Sequence, residues 1–92
     1  MIETVRRAID TKGNLRIPAR DLAPQANLYA AGLTPLAAIE VMIQIEREIR
    51  IVFPDQMLVR DSVASIEKIA SCLSEVLADG AQPLAAAYAK AA

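Results

Sequence analysis

A small all-α bundle, with three main helices, one short helix and a long first loop, is the fold class this sequence predicts. Three observations carry it. Apolar residues recur at spacings of three and four in three separate segments, and no segment sustains the alternation of a strand. Hydrophobic residues make up 54% of the chain but aromatics only 3%, so the core is built from Ile, Leu, Val, Met and Ala. That palette suits packed helices better than sheets, which favour aromatic and β-branched residues. Ninety-two residues are enough for one domain with a modest core.

The first segment, "IETVRRAIDTKG", sets Ile2, Val5, Ala8 and Ile9 on one helical face, and Gly13 is placed to stop it. About twenty residues follow without a sustained period, "NLRIPARDLAPQANLYAAGL". Pro18, Pro24 and Gly32 interrupt them, while Leu15, Ile17, Leu22, Leu28, Tyr29 and Leu33 offer apolar anchors. A loop of that length within a small domain is uncommon and is often functional. It is expected to pack over the core while crossing from one end to the other.

Residues 35 to 50 make the clearest helix. Thr34 is placed as its N-cap and Pro35 occupies the first helical position, where a missing N–H costs nothing. Glu40, Gln44, Arg47 and Glu48 line a polar stripe. Leu36, Ala38, Val41, Met42, Ile45 and Ile49 occupy much of the remainder, with Leu36 expected to anchor the helix start in the core. Glu46 and Arg50 stand four apart in the favourable order for a pair. Ile39 and Ile43 border the polar stripe, so the apolar arc is wider than one buried layer requires. The arc therefore reads either as extra core packing or as an exposed apolar patch.

Pro54 then blocks helix continuation and biases Phe53 towards an extended backbone. A short helical turn over 55 to 59 is expected, followed by a last long helix capped by Asp61 or Ser62. Val63, Ile66, Ile69, Ala70, Leu73, Val76 and Leu77 form its inner face, with Gly80 as its stop. The organisation expected is a domain over residues 1–79 and an Ala-rich tail over 80–92 that either adds a short helix or frays. No internal repeat is visible.

Most chemistry is excluded by composition. Net charge is −1 and the basic residues are scattered, so no footprint for nucleic acid exists. The absence of histidine removes the commonest general base and metal ligand. A single cysteine, Cys72, allows neither an intramolecular disulfide nor a Cys–His pair, and reads as an incidental thiol in a reducing, cytoplasmic setting. No glycine-rich phosphate loop, signal peptide or run of about 18 apolar residues occurs. A self-contained catalyst and a metal site are not expected. The start of the second helix is different, because its unpaired N–H groups and positive dipole end form a natural seat for phosphate.

The stretch "AGLTPLAAIEVMIQIEREIRIVFPD", followed by "DSVASIEKI", resembles the acyl carrier proteins, including peptidyl and aminoacyl carriers. Their loop ends in a Gly-Xaa-Asp-Ser-Leu-like motif and leads into a helix with a Val-Glu-Leu-like triplet. Gly32, Leu36, Ile39, Glu40, Val41, Ile45, Ile49, Pro54 and Asp55 match in type without a gap. Ser62 and Val63 match the start of the last helix, and the likeness covers residues 1 to 79. The resemblance implies an acyl-carrier-like four-helix bundle that is not an enzyme. Such a protein carries cargo as a thioester on a 4′-phosphopantetheine arm.

The resemblance places the arm-bearing serine at Pro35 and the preceding aspartate at Thr34. Threonine keeps a capping oxygen and loses a charge, whereas proline has no hydroxyl to esterify, so the chain as it stands is locked in the apo form. Three origins stay open: a substitution that locks the chain, a native serine or modified serine at 35, or a carrier-like protein that has lost its cofactor. Partner contact is expected through Leu36, Ile39 and Ile43, with Glu40 and Glu46 supplying charge. The partners implied are a phosphopantetheinyl transferase, an acyl- or aminoacyl-loading ligase and downstream transferases, with the carrier a stand-alone monomer. An apolar gap lined by Met42, Ile45, Ile66 and Ile69 is expected to shelter cargo. A carrier-fold interaction module without a covalent cofactor is the alternative.

Overall fold

The computed structural model describes residues 2–78. The expected Gly80 stop and Ala-rich tail lie outside the described residues. Helix α1 (Ile2–Lys12) buries Val5, Ala8 and Ile9, with Glu3 in its first turn and Lys12 in its last to complement the dipole. It stops where expected. Gly13 N–H donates to the Ile9 carbonyl at 2.7 Å, and a Cβ at Gly13 would stand 2.7 Å from that same oxygen. Close approach selects the glycine, since it is Asn14 that turns left-handed, at φ 55°.

The long loop is held at several points. The Arg6 Nε and Nη2 donate to the carbonyls of Ala19 and Leu22 at 3.2 and 3.1 Å. Asp10 Oδ1 accepts from Ala19 N–H at 2.8 Å, so the 3₁₀ turn Ala19–Asp21 is fastened to α1 from both sides. Further on, Leu28 N–H donates to Ala64 O at 2.8 Å, and Glu67 N–H donates to Pro24 O at 2.9 Å. Leu22, Leu28 and Leu33 are buried. Ile17 is not the anchor its type suggested: it is exposed, because the chain there is positioned by polar contacts of Arg6 and Asp10 instead.

Helix α2 (Pro35–Ile49) buries Ala37, Ala38, Val41, Met42 and Ile45. It ends when Arg50 turns left-handed at φ 57°, its N–H still bonded to Glu46 O. The expected Glu46–Arg50 pair gives way to a different use of the acid. Glu46 Oε2 accepts from Phe53 N–H at 2.8 Å, which ties the exit of α2 to the segment that buries Ile51 and Phe53. Arg7 and Glu48 form an ion pair between α1 and α2.

The short fourth helix is two 3₁₀ turns, Asp55–Met57 and Arg60–Val63. Helix α3 (Ile66–Ala78) begins later than expected. Its cap is Ser65, whose Oγ accepts from Lys68 N–H at 3.1 Å, rather than Asp61 or Ser62. Residues 60 to 63 are already wound as a 3₁₀ turn, and Asp61 instead pairs with Lys68 Nζ at 2.7 Å. Ile66, Ile69, Leu73 and Val76 face inward. Leu77 does not, being exposed; it lies roughly 60° off the centre of that stripe. Helix α1 packs against both α2 and α3, and the core runs between the three.

Candidate functional site: the start of the second helix

Thr34 caps the helix start. Its backbone is extended, its Oγ1 accepts from Ala37 N–H at 3.1 Å, and its carbonyl accepts from Ala38 N–H at 2.9 Å. Pro35 follows at the first helical position, exposed and without an N–H. Upstream, Asn27 Oδ1 accepts from the N–H groups of Tyr29 and Ala30, and Gly32 takes φ 112°. That conformation disfavours a side chain and lets the loop turn into the helix.

Leu36 is 67% exposed, Ile39 53% and Ile43 39%. Leu36 therefore does not anchor the helix in the core. Ala37 and Ala38 are buried there instead, because the small side chains let α2 settle closely. Of the two readings for Ile39 and Ile43, the exposed patch holds. Glu40 is exposed beside them, so Leu36, Ile39, Glu40 and Ile43 share one outward face next to Pro35. Glu46 is half-buried on the flank, engaged by Phe53 N–H.

An open groove of about 260 Å³ adjoins the same helix start, lined by Pro35, Ala38, Ile39 and Met42 on one side and by Leu58, Val59, Arg60 and Val63 on the other, with Tyr29 at the loop. The Tyr29 hydroxyl donates to Arg60 O at 3.0 Å, and the Arg60 guanidinium lies 4.1 Å from the Tyr29 ring centroid, a cation–π contact. The apolar gap expected between helices is thus displaced. Met42 reaches the groove, but Ile45, Ile66 and Ile69 are fully buried in the solid core. The wall from Leu58 to Arg60 was missed from sequence, although the apolar pair Leu58 and Val59 between turn formers was a visible signal.

The helix start does not fit a covalently attached arm. Pro35 has no hydroxyl, and the neighbouring Thr34 oxygen is engaged with Ala37 N–H. Among the described residues, no group of three or more His, Cys, Asp and Glu side chains could hold a metal, and no helix is long and apolar enough to cross a membrane.

Residues 4–73 match the family model described as a phosphopantetheine attachment site. The chain is 39% identical over 77 residues to an aminoacyl carrier protein of Agrobacterium fabrum, across 84% of this chain and 93% of that protein. A crystal structure of engineered Bradyrhizobium japonicum glycine:[carrier protein] ligase complexed with carrier protein from Agrobacterium tumefaciens and AMP contains a matching chain. That match has a TM-score of 0.77 and 39% identity, covering 80% of this chain and 99% of that one. A solution structure from Agrobacterium tumefaciens matches at TM-score 0.67 and 39% identity, over 84% and 93% of the two chains. With the helical architecture, the capped helix start and the family match over most of its length, this chain belongs to the phosphopantetheine-dependent acyl and aminoacyl carrier protein family.

Proposed function

We propose that this chain is a discrete carrier of the aminoacyl type whose scaffold and docking face are intact but whose attachment position, residue 35, is held in the apo form by proline. One observation carries the reading. A capped, exposed helix start adjoins both an apolar face and an apolar groove, the arrangement needed to present a tethered group to an enzyme. The likeness to an aminoacyl carrier over 93% of that protein's length supports a stand-alone unit of this size. The solved complex of a related carrier with a glycine ligase supports a ligase partner.

In this reading the domain spans residues 1–79 and works in the cytoplasm without catalysing a reaction itself. Its partners are an aminoacyl-loading ligase, a phosphopantetheinyl transferase acting on serine-bearing forms, and downstream transferases. Leu36, Ile39, Glu40 and Ile43 make the partner contact, and Glu46 holds the exit of α2. Thr34 supports position 35 through its cap. A cofactor-free interaction module is the second reading, favoured by Pro35 itself.

Incubation with coenzyme A and a phosphopantetheinyl transferase, read by intact mass, tests the assignment. The chain with Pro35 gains no mass, whereas Pro35→Ser gains one phosphopantetheine on residue 35. If Pro35→Ser stays unmodified by several competent transferases, the carrier reading loses its support. Mass gained on Thr34 of the unaltered chain would show that its hydroxyl is not held by the cap and would overturn that part of the reading.

A further inference from the structure

We infer that the unaltered chain acts as a competitive occupant of the carrier-binding face of an ATP-dependent aminoacyl:carrier ligase, binding it as a carrier does and lowering the loading of cargo-bearing carriers. This regulatory role rests on the proposed function and goes beyond it.

Two features of the molecule point in opposite directions, and together they imply inhibition. The docking face is built, and none of the described residues covers it. Leu36, Ile39 and Ile43 present large apolar side chains on one exposed helix face, beside Glu40, and adjoining exposed apolar side chains of this kind mark interaction sites. That face adjoins a groove lined on the far side by Leu58 and Val59, themselves 44% and 48% exposed. The scaffold points to the occupant: a chain 39% identical, with a TM-score of 0.77, is found complexed with a glycine:[carrier protein] ligase.

The acceptor is absent. A loading ligase delivers its aminoacyl group to a thiol at the end of the arm. Pro35 has no side-chain hydroxyl on which an arm could be built, and Thr34 Oγ1 is held by Ala37 N–H. Nor does the replacement damage the surface, since proline at the first helical position leaves the helix intact. A protein that keeps the recognition face and lacks the acceptor binds without turning over. Binding the free enzyme in place of the substrate carrier raises the apparent KM for that carrier and leaves kcat unchanged.

The test uses the Bradyrhizobium japonicum glycine:[carrier protein] ligase, the pantetheinylated Agrobacterium carrier as substrate, ATP and glycine, with increasing amounts of the unaltered chain. Loading is read by mass of the substrate carrier. The expected result is an apparent KM that rises linearly with added chain, doubling at the inhibition constant, with kcat constant. Leu36→Arg and Ile39→Glu replace exposed side chains, so both variants should melt like the parent while each weakens inhibition about tenfold, as central anchors of interfaces do. Pantetheinylated Pro35→Ser should be converted from inhibitor to substrate. No inhibition at ten times the substrate carrier's KM, a fall in kcat alone, or inhibition unaffected by Leu36→Arg would each overturn the inference. If Pro35→Ser is pantetheinylated and loaded while the unaltered chain fails to inhibit, the inhibitory role falls and the carrier assignment stands. If Pro35→Ser cannot be pantetheinylated at all, the carrier assignment itself falls.

Discussion

Placing a serine at position 35 should weaken the fold while supplying an attachment point. In the folded chain, Ala38 N–H is bonded to Thr34 O and Ala37 N–H to Thr34 Oγ1, and Pro35 contributes no N–H. Leu36 is then the remaining first-turn donor, at a well-exposed residue. Pro35→Ser adds a second solvated N–H, which is nearly neutral, and removes no side-chain hydrogen bond. Its main effect is on the unfolded chain, where serine samples φ values that proline cannot. Losing that restriction destabilises by about 0.4–1 kcal/mol. For a domain of this size each kcal/mol shifts Tm by about 4–8 °C, so the variant should melt about 2–8 °C lower. Thermal and urea unfolding followed by far-ultraviolet circular dichroism measure both quantities, and the urea m-value should be unchanged because the buried surface is the same. A Pro35→Ser variant that melts at or above the parent temperature would refute the claim that proline pre-organises this helix start. Thr34→Ala, by contrast, removes the cap itself and should cost about 1 kcal/mol.

Substitutions at Ser65 and Glu46, with Ser62→Ala as the control, probe the turns that position α2 and α3. Ser65→Ala removes the oxygen that caps α3 at Lys68 N–H; a loss of about 0.5–2 kcal/mol in urea unfolding is expected, whereas Ser62→Ala should be close to neutral. Glu46→Ala strips the acceptor from Phe53 N–H and should cost about 1–2 kcal/mol, with faster amide hydrogen exchange at Phe53 as its local signature.

Helix α2 was legible because three local signals agree: a capping threonine, a proline at the first position and sustained apolar spacing. The stop of α1 was legible for a similar reason, since Gly13 meets the Ile9 carbonyl within its own last turn. The start of α3 was not. Asp61, Ser62 and Ser65 are all competent caps by type, and the choice fell to Ser65 only because the preceding residues wind into a 3₁₀ turn whose Ala64 carbonyl receives Leu28 N–H from the distant loop. The groove was misplaced for the same kind of reason. Ile45, Ile66 and Ile69 look equally suited to line a gap, but α1 packs across α2 and α3 and they are fully buried.

What the sequence determined by itself is the all-α class, the family and the lack of a hydroxyl at residue 35, because these follow from residue type and short-range spacing along the chain. What only the tertiary structure decided is which side of each amphipathic helix is covered. Leu36, Ile39 and Ile43 face outward while Ala37 and Ala38 take the core, and Glu46 serves a backbone N–H seven residues away. A helical period defines a face but not its neighbour; burial is settled by where the other helices and the long loop come to rest.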